Sequence, residues 1–186
     1  LALPWRQVAN VCTVQLTRSI PGLKHLGRFN SAPITGVHLW FGRPITALRH
    51  AVLVGRLSQW LFNRGIHDPQ SGHYYQVVIS GSRHLAQREH PEIVEEVRTD
   101  LEAMFPEARP AELLRSKLVT DQHAVFLTPP GHEKLRPGQQ TPVENLMLAG
   151  DWTRTGWPAT MEGAVRSGYL AAEAILQASG RPERVL

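Results

Sequence analysis

Three stretches of the chain show the pattern of β-strands. Residues 36–41 (Gly-Val-His-Leu-Trp-Phe) and 74–80 (Tyr-Tyr-Gln-Val-Val-Ile-Ser) are rich in β-branched and aromatic residues and are bounded by Gly, Pro or Ser. Residues 117–126 alternate well enough to predict a third strand. Residues 51–62 are also apolar, but their pattern is ambiguous between strand and helix.

A helical period is clearest after Pro91, a residue that suits the first turn of a helix. The apolar residues then recur on one predicted face until Pro106 stops the helix: Ile93, Val94, Val97, Leu101, Met104 and Phe105. A second helix is predicted from near Ala159 or Thr160 to Gly180. Its apolar side is expected to comprise Met161, Ala164, Val165, Gly168, Ala171, Ala172, Ile175 and Leu176.

The segment before this last helix predicts a ligand-binding turn. Residues 128–142 hold four prolines and two glycines and therefore predict a loop. Residues 145–151 form an apolar run closed by Gly-Asp, which predicts a buried parallel strand ending at Gly150 and Asp151. In α/β sheets, ligands bind beyond the carboxyl ends of the strands, where helix amino termini also point. We therefore expect a ligand beside these residues.

Composition narrows the class of protein. A chain of 186 residues with 42% hydrophobic and 19% charged residues predicts a soluble globular protein of one or two domains. The net charge of +4 is spread along the chain without a basic block, so no nucleic-acid partner is expected. Cys12 is the sole cysteine, which excludes an intrachain disulfide. The histidines, including the pair His67 and His73, lack the helical spacing of zinc ligands, so no metal site is predicted.

Residues 145–172 resemble the carboxyl-terminal flavin motif of the FAD-dependent amine oxidase and phytoene desaturase superfamily. Within them, Gly-Asp-Trp-Thr (150–153) and Pro-Ala-Thr-Met-Glu-Gly-Ala-Val-Arg-Ser-Gly (158–168) are most similar to the squalene-associated desaturases, the hydroxysqualene dehydroxylases of hopanoid synthesis. Residues 37–44 and 76–81 are similar to the substrate domain of the same family. The resemblance therefore covers nearly the whole chain.

The resemblance implies an α/β fold, the carboxyl-terminal portion of a two-domain, FAD-binding Rossmann-like flavoprotein with an α+β substrate part. Residues 1–15 would be the edge of the FAD-binding domain, residues 16–117 part of the substrate-binding domain, and residues 118–186 the return to the FAD-binding domain. The Gly-x-Gly-x-x-Gly fingerprint that grips the ADP half of FAD is absent from the sequence. We therefore expect the amino-terminal dinucleotide-binding βαβ unit to be missing and the chain to bind FAD poorly alone.

The same resemblance implies which residues contact FAD: Gly150, Asp151, Pro158, Ala159, Thr160, Met161 and Ala164. Gly150 and Asp151 match the positions that meet the ribityl and phosphate region. Thr160 and Met161 match those whose backbone amides lie near the pyrimidine edge of the isoalloxazine, where a helix amino terminus stabilises negative charge on reduced flavin. The other three residues would shape the turn beside the ring and let the helix approach it.

Three further side chains are candidates for a substrate channel, each with a structural alternative. Trp152 and Trp157 flank the proposed flavin loop and either wall an apolar tunnel or simply fill packing space. His38 lies in a predicted strand and either points into a substrate cavity or is a hydrogen-bonded structural histidine. Glu162 is either an acid or a capping or salt-bridging carboxylate, and no catalytic residue is assigned.

The function that the resemblance implies is FAD-dependent oxidation–reduction of a long isoprenoid, with hydroxysqualene reductively dehydroxylated to squalene. One alternative is a carotenoid desaturase or amine oxidase, in which flavin accepts the hydride instead. Another is a non-catalytic binding module or partner subunit. The partners expected are the apolar substrate and the missing FAD-binding segment, and the expected location is the cytoplasm, with peripheral membrane contact.

Overall fold

The computed structural model describes residues 1–65 and 72–186, so His67 lies outside the described residues. These residues form two compact units. The terminal unit comprises residues 1–31 and 125–186, and the sheet unit comprises residues 32–124. The predicted domain limits, 15/16 and 117/118, differ from the limits of these units. The assignment of the units to cofactor and substrate stays a prediction.

The secondary structure mixes helices with one sheet. The α-helices are α1 (Trp5–Val11), α2 (Val14–Ser19), α3 (His90–Met104) and α4 (Met161–Ala178). The strands are β1 (Asn30–Phe41), β2 (His50–Val52), β3 (Trp60–Gly65), β4 (His73–Ser80) and β5 (Leu113–Leu127). Short 3-10 helices cover Pro21–Arg28, Ser82–Leu85, Pro106–Ala108 and His132–Leu135.

The five strands form one sheet in the order β2-β3-β4-β1-β5. The β1–β4, β3–β4 and β2–β3 pairs are antiparallel. All three predicted strands are confirmed within β1, β4 and β5. The ambiguous segment 51–62 contains the turn and parts of both strands of the antiparallel β2–β3 hairpin. Gly55, with a φ of 71°, lies in the connection between the two strands.

The core of the sheet unit lies between α3 and one face of the sheet. Pro91 lies in the first turn of α3, and the helix ends before Pro106, as the sequence predicts. Its buried apolar residues are Ile93, Val97 and Leu101, whereas Met104 is 46% exposed. They share a cluster with alternate residues of the central strands: Val37, Leu39, Phe41, Leu61, Tyr75, Val77 and Ile79. The opposite face of the sheet therefore carries the intervening side chains.

The terminal unit has its own core, built largely by elements that the sequence did not predict. Helices α1 and α2 and the 3-10 helix Pro21–Arg28 are too short for a clear period. Their buried residues Val8, Leu23 and Leu26 pack with Phe126, Leu148, Trp152 and other residues in one cluster. This packing explains why residues 16–31 belong to the terminal unit.

The structure corrects the strand predicted for the terminal unit and largely confirms the loop before it. Residues 145–151 are not a strand, although Leu148 and Ala149 are buried; only isolated bridges join Ala149 to Ala2 in parallel and Met147 to Gln140. Positive φ angles at Asn145 (61°) and Gly150 (147°) limit the extended run. The loop predicted for 128–142 is confirmed apart from the 3-10 turn His132–Leu135.

The orientation expected for α4 is also wrong. The helix exists and begins where the sequence predicts, with Thr160 as its cap, but it buries Gly163, Ser167 and Ala174. Three residues of the predicted apolar side are instead exposed: Met161 (88%), Val165 (54%) and Ile175 (53%). The helix packs through its smallest residues because they allow the closest approach of backbones. Within residues 1–65 and 72–186, no helix is long and apolar enough to cross a membrane.

Candidate functional site

The terminal unit contains a cleft of about 300 Å³ between its amino-terminal segment, the 149–151 turn and α4. It is lined by Ala2, Leu3, Pro4, Ala149, Gly150, Asp151, Ala164, Ser167 and Gly168. Most of these side chains are small, so a ligand in the cleft can approach the backbone closely. Of the seven residues proposed to contact FAD, the structure brings Gly150, Asp151 and Ala164 to this cleft.

Gly150 is held in a conformation that only glycine accepts readily. Its φ is 147°, and a Cβ there would lie 2.3 Å from Trp152 Nε1 and 3.0 Å from the Leu3 carbonyl oxygen. Its N–H donates to Ser167 Oγ at 2.7 Å, and Ser167 Oγ donates to the Ala164 carbonyl at 2.6 Å. The fully buried Ser167 thus ties the turn to α4, a role the sequence analysis missed.

Asp151 is the ionisable group of the cleft. Its side chain is half-buried, and burial raises the pKa of the carboxyl above its ordinary value. The positive charge of Arg136 and the backbone N–H groups of Trp152 and Asp151 oppose this shift without cancelling it. The site therefore favours the protonated carboxyl more than water does.

Arg136 organises the loop that follows Asp151, a role that no pattern in the sequence indicates. The buried guanidinium donates to the carbonyls of Asp151 (2.8 Å), Trp157 (3.1 Å) and Thr153, and it pairs with Glu133 at 2.7 Å. A single planar cation therefore holds three carbonyls of one loop in place. Its position in a Pro-rich and Gly-rich loop hides this function in the sequence.

The turn into α4 carries the remaining predicted FAD contacts. Thr160 Oγ1 accepts the N–H of Gly163 at 3.2 Å and so caps the helix. A Cβ at Gly163 would lie 2.4 Å from the Pro158 carbonyl oxygen, so the turn requires glycine there. Ala159 is buried, whereas Pro158, Thr160 and Met161 are exposed. These three residues do not line the cleft.

The two tryptophans flanking this turn have different surroundings. Trp152 is fully buried, and its Nε1 donates to the Leu3 carbonyl at 2.8 Å, so packing alone accounts for it. Trp157 is 46% exposed and lies under the guanidinium of Arg166, 5.2 Å from its ring centroid. Arg166 also pairs with Glu162 at 3.6 Å, which supports the salt-bridging interpretation of that carboxylate. The channel role of both tryptophans stays a prediction.

His38 lies in the sheet unit, on the face of the sheet opposite α3. We call this the aromatic face; its side chains include His38, Trp40, Phe62, Arg64, Tyr74, Gln76, Arg115 and Lys117. The rings of Trp40 and Tyr74 stack at 4.8 Å with an interplanar angle of 11°, and Arg115 lies 4.9 Å from the Trp40 centroid. His38 Nδ1 lies 2.6 Å from Tyr74 Oη. The histidine is therefore both hydrogen-bonded and part of a large aromatic surface.

The electrostatic surroundings of His38 favour its neutral form. Burial lowers the pKa of the imidazole, and the positive charges of Lys117 and Arg64 lower it further. A neutral imidazole with one nitrogen bonded to a phenol presents its other nitrogen in a fixed orientation. Within the described ranges 1–65 and 72–186, no group of three His, Cys, Asp or Glu side chains is arranged to hold a metal ion.

The cleft fits part of a dinucleotide cofactor. Its glycine-bearing turn admits a ligand against the backbone. Residues 160–163, where α4 begins, do not line the cleft, and the Gly163 N–H there already donates to Thr160 Oγ1. The positive end of the helix dipole favours negative charge at the same end. Its volume of about 300 Å³ suits a portion of FAD rather than the whole molecule.

Comparisons with known proteins point to one family. The sequence profile of the flavin-containing amine oxidoreductases matches residues 2–176. Over 176 residues the chain is 36% identical to the hydroxysqualene dehydroxylase of Sinorhizobium fredii, which covers 95% of this chain and 38% of that protein. Over 184 residues it is 31% identical to the 15-cis-phytoene desaturase of Synechococcus elongatus, which covers 89% of this chain and 38% of that protein.

A solved structure gives the same fold. The cyclohexylamine oxidase of Brevibacterium oxydans matches with a TM-score of 0.58 and 17% identity, over 86% of this chain and 38% of that one. At this identity the likeness concerns the fold alone. The chain spans less than two fifths of the length of each of these three relatives.

Proposed function

This chain belongs to the family of flavin-containing amine oxidoreductases. We therefore propose that it acts in the FAD-dependent oxidation or reduction of a long isoprenoid. The specific reaction we propose is the reductive dehydroxylation of hydroxysqualene to squalene in hopanoid biosynthesis. The 36% identity to a hydroxysqualene dehydroxylase, over 95% of this chain, supports that choice. The observation that carries the proposal is the cleft where Gly150, Asp151 and the small residues of α4 meet.

We assign the binding of FAD to the terminal unit. Gly150 and Asp151 would meet the ribityl and phosphate region, and Ala164 leaves room beside them because its side chain is small. The N–H of Met161 would face the pyrimidine edge of the flavin, whereas the N–H of Thr160 donates to the Pro158 carbonyl at 2.8 Å and so helps to shape the turn with Pro158 and Ala159. A segment carrying the dinucleotide fingerprint would hold the ADP half, and it is the partner we propose for this unit.

Several residues of the terminal unit would stabilise negative charge or fix the groups around the proposed flavin site. When bound, reduced flavin supplies a hydride to an allylic carbon, while the hydroxyl on that carbon takes up a proton and leaves as water. The amino terminus of α4 stabilises negative charge, and it is fixed by the Thr160 cap and by Gly163. Arg136 holds the preceding loop rigid through its three carbonyl contacts. Asp151, with its raised pKa, would donate a hydrogen bond when it is protonated.

We assign the apolar substrate to the sheet unit. The stacked Trp40 and Tyr74 rings offer a broad apolar surface for an unsaturated chain. His38 lies at the edge of that surface, and Trp152 and Trp157 remain the channel candidates of the terminal unit. Because so apolar a substrate partitions into membranes, we propose a cytoplasmic protein with peripheral membrane contact.

Product analysis tests this proposal. The intact protein is incubated with reduced FAD and hydroxysqualene without oxygen, and the lipids are separated and identified by mass. We expect squalene to form only when protein and reduced flavin are both present. If no squalene forms, the dehydroxylase proposal fails. Parallel incubations with oxidised FAD and phytoene, or with an amine, test the desaturase and amine oxidase alternatives.

A further inference from the structure

The acidic residues of this chain are unevenly distributed along the sequence. The first of them is Asp68, so residues 1–67 carry arginines and lysine without a single Asp or Glu. Four of these cations lie in the first segment of the terminal unit, and all four are exposed: Arg6, Arg18, Lys24 and Arg28. The amino-terminal segment is therefore positively charged, and it contains no acidic side chain that could neutralise this charge.

These four cations also lack acidic neighbours from other parts of the fold. Within residues 1–65 and 72–186, none of the four forms an ion pair. By contrast, Arg98 on α3 and Arg166 on α4 each pair with a glutamate one helical turn away. A cation without a carboxylate beside it attracts an external anion more strongly, because no opposite charge offsets its field.

The packing of this segment directs its cations outward. Helices α1 and α2 both contact the 3-10 helix Pro21–Arg28. The segment buries Val8, Leu23 and Leu26 in one shared apolar cluster. Because the apolar sides of these elements share one core, their polar sides face away from it. Residues 5–28 thus form one outer layer of the terminal unit, which we call the cationic layer.

The turn between α1 and α2 adds an apolar tip to the cationic layer. Val11 ends α1 and Val14 begins α2, and they are 57% and 68% exposed. Only Cys12 and Thr13 separate them in the chain. Valine is among the residues most often buried in proteins. The tip therefore offers two exposed apolar side chains beside an excess of positive charge.

One class of partner accommodates both features. A bilayer that contains anionic lipids attracts Lys and Arg side chains near its surface, by about fivefold in affinity for each, and its headgroup region accepts small apolar side chains. A nucleic acid would attract the cations through its phosphates, but it would leave the two valines without an apolar contact. A long isoprenoid also partitions into bilayers, so the proposed substrate brings the protein to the same partner.

We propose that the cationic layer is the surface through which this protein docks on a bilayer of anionic lipids, with Val11 and Val14 entering the headgroup region. This inference rests on the proposed function and deepens it, because it names the docking surface and the charge of the lipid. Only two small side chains enter the bilayer, so attraction between opposite charges dominates the docking. Added salt therefore weakens it.

Co-sedimentation with lipid vesicles tests the proposal. The intact protein is mixed with vesicles of phosphatidylcholine, either alone or with about 30% phosphatidylglycerol, at about 0.1 M salt. We expect at least about tenfold tighter binding to the anionic vesicles, which requires only two of the four cations to reach the surface. Raising the salt to about 1 M should remove most of this preference.

The variant that removes the charge combines Arg6→Gln, Arg18→Gln, Lys24→Gln and Arg28→Gln. Because all four residues are exposed, the fold should be retained, which circular dichroism checks. The preference for anionic vesicles should decrease to less than about twofold. The matched control removes the same charge from exposed residues outside the layer: Arg49→Gln, Lys134→Gln, Arg154→Gln and Arg181→Gln. This control should keep at least about half of the wild-type preference.

A second variant tests the apolar tip separately. Val11→Gln combined with Val14→Gln should weaken binding to both kinds of vesicle by about fivefold, and the preference for the anionic vesicles should remain. Unchanged binding of this variant would remove the two valines from the proposal.

Four results would overturn the docking surface. They are equal binding of the wild type to both vesicles, binding to neither, a full preference in the variant without the four cations, and an equal loss in the matched control. If the wild type binds neither vesicle but binds single-stranded RNA through the same four cations, the cationic layer is a nucleic-acid surface instead.

The docking surface and the proposed reaction can fail separately, because detergent micelles present hydroxysqualene without a bilayer. Conversion to squalene in micelles, without binding to anionic vesicles, would retain the reaction and reject the docking surface. Vesicle binding that depends on the four cations, without any conversion in micelles, would retain the docking surface and reject the reaction.

Discussion

The cleft of the terminal unit is lined by backbone and small side chains, whereas the aromatic face of the sheet unit is built from large rings and cations. In the cleft, Gly150 could not be replaced without a clash, and its N–H donates to Ser167 Oγ, which in turn donates to the Ala164 carbonyl. On the aromatic face the half-buried groups are side chains, among them those of His38, Trp40 and Tyr74, whose rings stack on one another. We interpret the first surface as one for a constant cofactor and the second as one for a particular substrate.

This contrast also explains what the sequence revealed. Six of the nine residues that line the cleft lie within one stretch, residues 149–168, so its Gly-Asp turn and the small residues of α4 can be recognised as a motif in the sequence. The aromatic face depends instead on the register that pairs β1 with β4, which places His38 opposite Gln76 and Trp40 opposite Tyr74. No local pattern specifies that register. His38 was singled out from its strand, but Gln76 was not.

Arg136 and the orientation of α4 were missed for a related reason. Arg136 contacts carbonyls 15 to 21 positions away, which no spacing rule anticipates. For α4, the hydrophobic period suggested burial of Met161 and Val165, but the helix packs through Gly163 and Ser167. Hydrophobicity predicts the buried side of a helix poorly when close backbone approach decides the packing.

The largest expected effect is the difference in stability loss between alanine substitutions of two tryptophans, one in each unit. Trp152→Ala should lower the free energy of unfolding by about 3–5 kcal/mol, because it empties a fully buried site. Trp40→Ala should lower it by only about 1 kcal/mol, because that ring is half-buried and loses mainly its stacking on Tyr74. Chemical denaturation followed by circular dichroism measures both values. Equal losses would contradict the distinction between a core residue and a surface residue.

The next effect concerns the arginine that holds the loop. Arg136→Met should cost about 2–3 kcal/mol, since three carbonyls lose a charged donor in a buried place. Arg98→Met is the control, because Arg98 pairs with Glu95 and Glu102 at the surface and should cost less than about 0.5 kcal/mol. Urea denaturation compares them. A small loss at Arg136 would mean that the loop is held by other contacts.

Two glycines of α4 should respond in opposite directions. Gly163→Ala should destabilise the protein by about 1–3 kcal/mol, because the new methyl group meets the Pro158 carbonyl. Gly168→Ala should stabilise it by about 0.5–1 kcal/mol, because nothing lies within 4 Å and alanine favours the helix. Thermal unfolding at one pH measures the pair. A neutral Gly163→Ala variant would show that the turn can relax.

The smallest effects are expected from the two titrating groups, which lie in different units and whose pKa values shift in opposite directions. The pKa of Asp151 is raised on folding, so its contribution to stability is present at low pH and is lost as pH rises through the folded value. Asp151→Asn should therefore raise the free energy of unfolding at pH 7, and the gain should vanish below about pH 3, where both residues are neutral.

The pKa of His38 is lowered on folding, so the pH dependence has the opposite sign. Stability should decrease as pH falls below about 6.5, where the unfolded chain takes up a proton and the folded chain resists it. His38→Gln should remove that decrease. Stability measured from about pH 2.5 to about pH 8 for both variants tests the pair, and an unchanged wild-type profile in His38→Gln would contradict the His38 prediction.

The central claim is that the cofactor binds at the glycine-lined cleft and not at the aromatic face. Titration of FAD into the intact protein, followed by flavin fluorescence, tests it most directly when Gly168→Leu is compared with Gly36→Ala, which adds a methyl group beside His38 on the aromatic face. Gly168 lines the cleft and has no neighbour within 4 Å of an added Cβ, so leucine occupies the cleft without a clash at its base. We predict that Gly168→Leu weakens FAD binding by at least about tenfold, or 1.4 kcal/mol, and that Gly36→Ala leaves it unchanged. Wild-type FAD affinity in Gly168→Leu would contradict the account.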